Sequence, residues 1–86
     1  ELRLCYYNKG VEVDFCVPES NLAVQVSYKI DEPDTYDREV GGLVKFLKAY
    51  RDYHGVIVTW YTERNIQEDG INIEVLPVWK WLLNIR

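Results

Sequence analysis

The side chains with the most chemical promise fall on two neighbouring segments: Asp14 within residues 11–17, and Gln25, Ser27 and Lys29 within residues 22–30. Both segments alternate apolar and polar residues, the period of a strand that buries one face. Paired antiparallel with their polar faces in phase, they bring these four side chains into one shared pocket. An acid on one strand beside an acid-x-lysine pair on the next can bind Mg²⁺ and activate water for phosphodiester cleavage. Carboxylates are hard oxygen ligands, and the lysine stabilises developing charge. Asp14 and Glu12 are the metal-ligand candidates, but no resident metal is expected, and Glu12 reads as a solvated carboxylate. For Asp14 a backbone donor or an arginine such as Arg3 is an equally simple partner.

The other conspicuous residues read more plainly. His54 has no second His or Cys at a ligand spacing, so it reads as a helix-end histidine. Trp60, Trp79 and Trp81 lie among apolar neighbours without interleaved basic residues. They read as core or inter-domain packing rather than base-stacking platforms. Arg38 and Glu39 read as surface charges or a salt bridge. The sequence holds no GxxxxGK[ST] phosphate loop, nucleophile elbow or HExxH.

The elements that must position these residues follow from periodicity. Residues 2–7, 11–17 and 22–30 read as an antiparallel meander, with a tight turn at Asn8-Lys9-Gly10 and another in Pro18–Asn21. Matching apolar faces aligns Leu4 with Phe15 and Tyr6 with Val13. That register sets Cys5 near Asp14 and Cys16 near Arg3, with the sulfurs apart, so two reduced structural cysteines in a reducing cytoplasm are expected. A helix is expected over 35–53, capped by Asp34 or Thr35, with Tyr36, Val40, Leu43, Leu47 and Tyr50 as its apolar stripe. Gly41-Gly42 inside it suggests close approach to the sheet or a kink, and Gly55 a left-handed cap. Residues 56–62 read as a central strand covered on both faces, 63–70 as a polar connector ending in Asp69-Gly70, and 71–76 as a further strand. Pro77 opens a terminal helix over 78–84. The order is βββαββα, an α/β fold with a five-stranded sheet.

Eighty-six residues allow a single domain, 1–86, and 48% hydrophobic with 14% aromatic residues is ample for one core. No run approaches a membrane span, and no signal peptide opens the chain. Ten Lys+Arg against fourteen Asp+Glu leave a net charge of −4, the wrong sign for a stand-alone nucleic-acid binder. The chain starts at Glu1 and contains no methionine, which reads as a fragment of something larger or a processed chain.

The runs Gly10-Val11-Glu12-Val13-Asp14-Phe15, Gln25-Val26-Ser27-Tyr28 and Arg38-Glu39-Val40, with the ending from Ile73 to Leu83, resemble the C-terminal domain of bacterial and archaeal AAA-type P-loop ATPases, especially members of the Bacteroidetes type. The resemblance covers nearly the whole chain. It implies a mixed sheet with helices on both faces, a restriction-endonuclease-like core of the PD-(D/E)xK type lacking its first helix. It also implies an upstream ATPase domain that holds the ATP and Mg²⁺, and a cytoplasmic setting. Asp14 matches the first metal-binding acid of the motif. Gln25 stands where the second acid belongs and Ser27 where the lysine belongs, while Lys29 is two residues further along the same face. A neutral amide and a hydroxyl replace a carboxylate and an ammonium. The implied function is a non-catalytic accessory domain. Its partners would be the upstream ATPase domain or a second copy, with Trp79 and Trp81 at the interface. The alternatives are a metal-dependent nuclease with a rearranged site, and a DNA-binding module using Arg3, Lys9 and Lys29.

Overall fold

A computed structural model describes residues 3–7, 11–28 and 30–84, with side chains described over 15–28 and 30–83. The strands are β1 (Arg3–Tyr7), β2 (Val11–Val17), β3 (Leu22–Val26), β4 (His54–Thr59), β5 (Arg64–Glu68) and β6 (Ile71–Pro77). The helices are α1 (Pro33–Ala49), between β3 and β4, and α2 (Val78–Asn84), directly after β6. One mixed sheet runs β1-β2-β3-β4-β6-β5. Strands β3, β4 and β6 are mutually parallel, and β1, β2 and β5 add antiparallel edges. No helix among the described residues is long and apolar enough to cross a membrane.

The α/β class and the mixed sheet agree with the sequence pattern, but the sheet has six strands, not five. The expected connector over 63–70 contains β5. Only Ile66 of that strand is buried, so its composition is that of a polar loop, as suits an edge strand guarded by charge. The hairpin to β6 closes through Asp69 and Gly70, both at positive φ (52° and 78°), the conformation of a two-residue type I′ turn.

Helix α1 starts earlier than expected. Glu32 is its N-cap and Pro33 occupies the first turn, where the fixed φ of proline suits a helix start rather than a break. The helix also stops at Ala49, with the Tyr50 amide donating to Phe46 O at 2.9 Å. Strand β4 must begin at His54 to run in register beside Leu22, so residues 50–53 form the bend. His54 therefore opens a strand and does not end a helix.

Two hydrophobic layers sandwich the sheet. On one face Val40, Leu43, Phe46 and Leu47 of α1 pack with Ala23, Ile57, Ile73 and Val75. On the other, Val24, Val56, Val58 and Leu76 are covered by Phe15, Leu22, Val78 and Trp81. The close approach of α1 to the sheet falls at Gly55, where an added Cβ would lie 2.5 Å from Leu47 Cδ1. Gly55 is a buried strand residue of β4, not a left-handed cap. At Gly41 the same test meets nothing within 4 Å, so the expected helix–sheet contact is absent there. Gly41→Ala should therefore stabilise the fold by about 1 kcal/mol, through helix propensity and a less disordered unfolded chain. Urea unfolding midpoints test this, and a lowered midpoint would refute an open site at Gly41.

The cysteine expectation is overturned. Cys16 is disulfide-bonded, and Cys5 is the one other cysteine of the chain. Arg3 does face Cys16, but Cys5 faces Val13 rather than Asp14, because the register shifts between Arg3 and Cys5. Leu4 then spans both Asp14 and Phe15, a bulge that breaks the strict alternation on which separated sulfurs depended.

Candidate functional site

Gln25 and Ser27 lie where β3 runs out beside β4. Alternation puts both on the α1 face with Ala23. Gln25 is 3% exposed and donates from Nε2 to Glu39 Oε2 of α1 at 3.2 Å. Ser27 is 5% exposed, and its amide donates to Val58 O at 2.9 Å. Its Oγ has no hydrogen-bond partner among the described residues. The side chains of Asp14 and Glu12, and the whole of Lys29, lie outside the described residues. Among the described residues no three His, Cys, Asp or Glu side chains converge to hold a metal ion.

A buried amide and a buried hydroxyl carry no charge to bind Mg²⁺ or to stabilise a phosphorane-like transition state. Glu39 is the carboxylate that accepts from Gln25, and the sequence reading left it on the surface. Its signal was available: Tyr36, Glu39 and Leu43 are spaced i, i+3, i+7, which puts Glu39 on the flank of the inward stripe.

The carboxyl ends of the three parallel strands form a different cluster. Just beyond β3, Tyr28 stacks on Trp60 just beyond β4, with ring centroids 4.5 Å apart and planes at 20°. Both rings are half exposed, and Tyr61 beside them is 89% exposed. The Thr59 hydroxyl fixes this turn by donating to Thr62 O at 2.9 Å and accepting from Thr62 N at 3.0 Å. After β6, α2 turns Val78 and Trp81 inward, while Trp79, Leu82 and Leu83 remain 59%, 61% and 62% exposed. Lys80 of α2 pairs with Glu63 of the turn after β4, which holds the two groups side by side. Of the three tryptophans only Trp81 packs into the interior layers; Trp60 and Trp79 are surface residues.

Two of the grooves on the described surface lie on opposite faces of the sheet. One of about 330 Å³ lies between α1 and the β5–β6 turn, lined by Tyr36, Val40, Gly41, Val44 and Lys48 among others. Lys48 spans to Asp69 at 2.9 Å, and the Arg64 guanidinium lies 5.6 Å from the centre of the Tyr36 ring. The Tyr36 hydroxyl donates to Glu68 Oε1 at 3.2 Å. The other, of about 380 Å³, is bounded by Leu22, His54, Val56, Asn65, Asn72 and Glu74 on the opposite face.

Burial, and then the hydrogen bond to the Glu68 carboxylate, push the Tyr36 phenol above its ordinary value of 10.0. The unfolded chain therefore loses this proton first as pH rises. The contribution to stability is complete below the unfolded pKa of 10.0 and is lost as pH climbs from there through the folded value. Tyr36→Phe should flatten the alkaline fall in the urea midpoint over this range. Equal alkaline slopes for the two proteins would refute the linkage.

Comparison with protein-family models, curated proteins and solved structures finds no match to this chain.

Proposed function

We propose that this chain is a non-catalytic accessory domain of a cytoplasmic AAA-type ATP-binding protein, a PD-(D/E)xK-like core whose motif has degenerated and whose work is protein interaction. The observation that carries the reading is an inversion of polarity. The positions a nuclease would charge are filled by buried Gln25 and Ser27, while Trp79, Leu82, Leu83 and Tyr61 stand exposed. Large aromatic and aliphatic side chains left in water are what docking surfaces are made of. The domain itself would hold no cofactor; ATP and Mg²⁺ would belong to the upstream ATPase domain, its partner in the same protein.

Incubation with single- and double-stranded DNA and Mg²⁺ or Mn²⁺ tests the reading. Intact DNA is expected, and cleavage abolished by Asp14→Ala would replace it with the nuclease alternative. The residues encoded upstream of Glu1 should contain a GxxxxGK[ST] loop. Salt-dependent DNA binding would favour the DNA-binding alternative, because phosphate contacts release counterions.

A further inference from the structure

We propose that the occupant of the exposed aromatic surface is a second copy of this chain, docked through the outward face of α2 and the turns that follow β3 and β4. The inference rests on the interaction reading above and names its partner.

The surface is built, not scattered. Each of the three parallel strands delivers an exposed aromatic at its carboxyl end: Tyr28 after β3, Trp60 and Tyr61 after β4, Trp79 after β6. Thr59 and Pro77 are register partners, so the turn after β4 and the start of α2 leave the sheet side by side. On α2, Trp79, Leu82 and Leu83 follow i, i+3, i+4 and form one continuous stripe. A seven-residue helix with apolar residues on both its inner and outer sides has the pattern of a helix meant to be covered twice.

Area decides that this is more than ordinary surface. Taking about 150–250 Å² for an aromatic side chain and somewhat less for leucine, these six residues expose on the order of 700–800 Å². The largest apolar patch of a typical monomer is about 300–600 Å². A standard interface buries about 800 Å² per partner, so two such patches cover one another completely.

Charge decides for a like partner. The chain carries −4, so two copies repel unless the surfaces that meet are neutral. Among the described residues Lys80 and Glu63 border the patch, and they are paired with each other. The described part of the contact is thus charge-balanced, and its short helix can lie antiparallel to its twin, which makes it self-complementary under a two-fold axis. The β5 edge offers no competing route, since it presents Arg64, Asn65 and Gln67 at its exposed positions.

Sedimentation equilibrium on the 86-residue chain, from micromolar to submillimolar concentration, tests the proposal. A reversible dimer is expected. Leu83→Asp and Trp79→Glu should each raise its dissociation constant at least about 30-fold, the scale of a central hot spot. Both positions are solvent-exposed in the single copy, so far-UV circular dichroism, and the unfolding midpoint measured below the wild-type dissociation constant, should stay near wild type, which separates lost docking from lost fold. Gln67→Glu, on the exposed edge strand, should leave the dimer unchanged. A wild-type chain that is monomeric throughout overturns the proposal, as does a dimer indifferent to both patch variants. If that monomer still binds the parent ATPase domain, the interaction reading survives and only the second copy falls. If the dimer forms and the DNA is cleaved, the dimer stands and the non-catalytic reading falls.

Discussion

Gly55→Val should destabilise the fold by about 3 kcal/mol, and Gly55→Ala by about 1 kcal/mol. An added Cβ would meet Leu47 Cδ1 at 2.5 Å, Leu43 Cδ2 at 3.2 Å and Ile73 Cγ1 at 3.4 Å. With alanine, the end of Leu47 can turn aside at modest cost. Valine adds two methyl groups to a layer in which Leu43 and Ile73 are wholly buried, so α1 itself must lift from the sheet. The lost packing outweighs the better strand propensity of valine, which is worth at most about 1 kcal/mol. For a domain of this length, 3 kcal/mol lowers the melting temperature by roughly 15 °C. Thermal and urea unfolding measure it. Leu47→Ala placed on the Gly55→Val background should recover part of the loss, because the two residues share one space. A wild-type melting temperature for Gly55→Val would show that α1 is not seated where described.

Periodicity made the interior legible. The strand over 11–17 and the helix over 78–84 have the bounds read from alternation and from Pro77. Val40, Leu43 and Leu47 of the expected stripe are buried, joined by Val44 and Phe46, whereas Tyr36 is half-buried and Tyr50 lies beyond the helix and is exposed. Features that depend on partners distant in sequence were not legible. The edge strand β5 looks like a connector because its hydrogen bonds, rather than buried side chains, place it beside β6. Gly55 looks like a helix cap until β4 is known to lie under Leu47. Pro33 looks like a break and is a helix start.

The candidate site divides along the same line. That Gln25 and Ser27 are polar but uncharged is visible in the chain itself; that Glu39 bonds to Gln25 needs α1 folded over β3. The exposed cluster was half legible. The nearly all-round apolar pattern of α2 calls for more cover than one sheet provides, and Trp79 is exposed while Trp81 is packed. Nothing in local sequence, however, brings Tyr28 onto Trp60. That contact exists because β3 and β4 are parallel neighbours ending at the same edge.

Opening the Cys16 disulfide should cost about 3 kcal/mol, the loop-closure entropy that a bond to Cys5 removes from the unfolded chain. Cys16 is 4% exposed in the layer beneath α1, and β2 carries that layer toward β1 at the edge of the sheet. Among the described residues β1 is the edge strand of the sheet, so the cross-link supplements a strand paired there on one side. Urea unfolding with and without dithiothreitol measures the difference. Cys16→Ala in oxidising buffer should match the reduced wild type to within about 1 kcal/mol, the remainder reflecting the smaller side chain. Equal stability of oxidised and reduced protein would refute a stabilising cross-link. Rapid alkylation in intact cells then separates the compartments: the cytoplasmic reading expects both cysteines to be modified. Protection of both in unstressed cells would place the chain in an oxidising compartment, where structural disulfides persist, and would remove the cytoplasmic part of the proposed function.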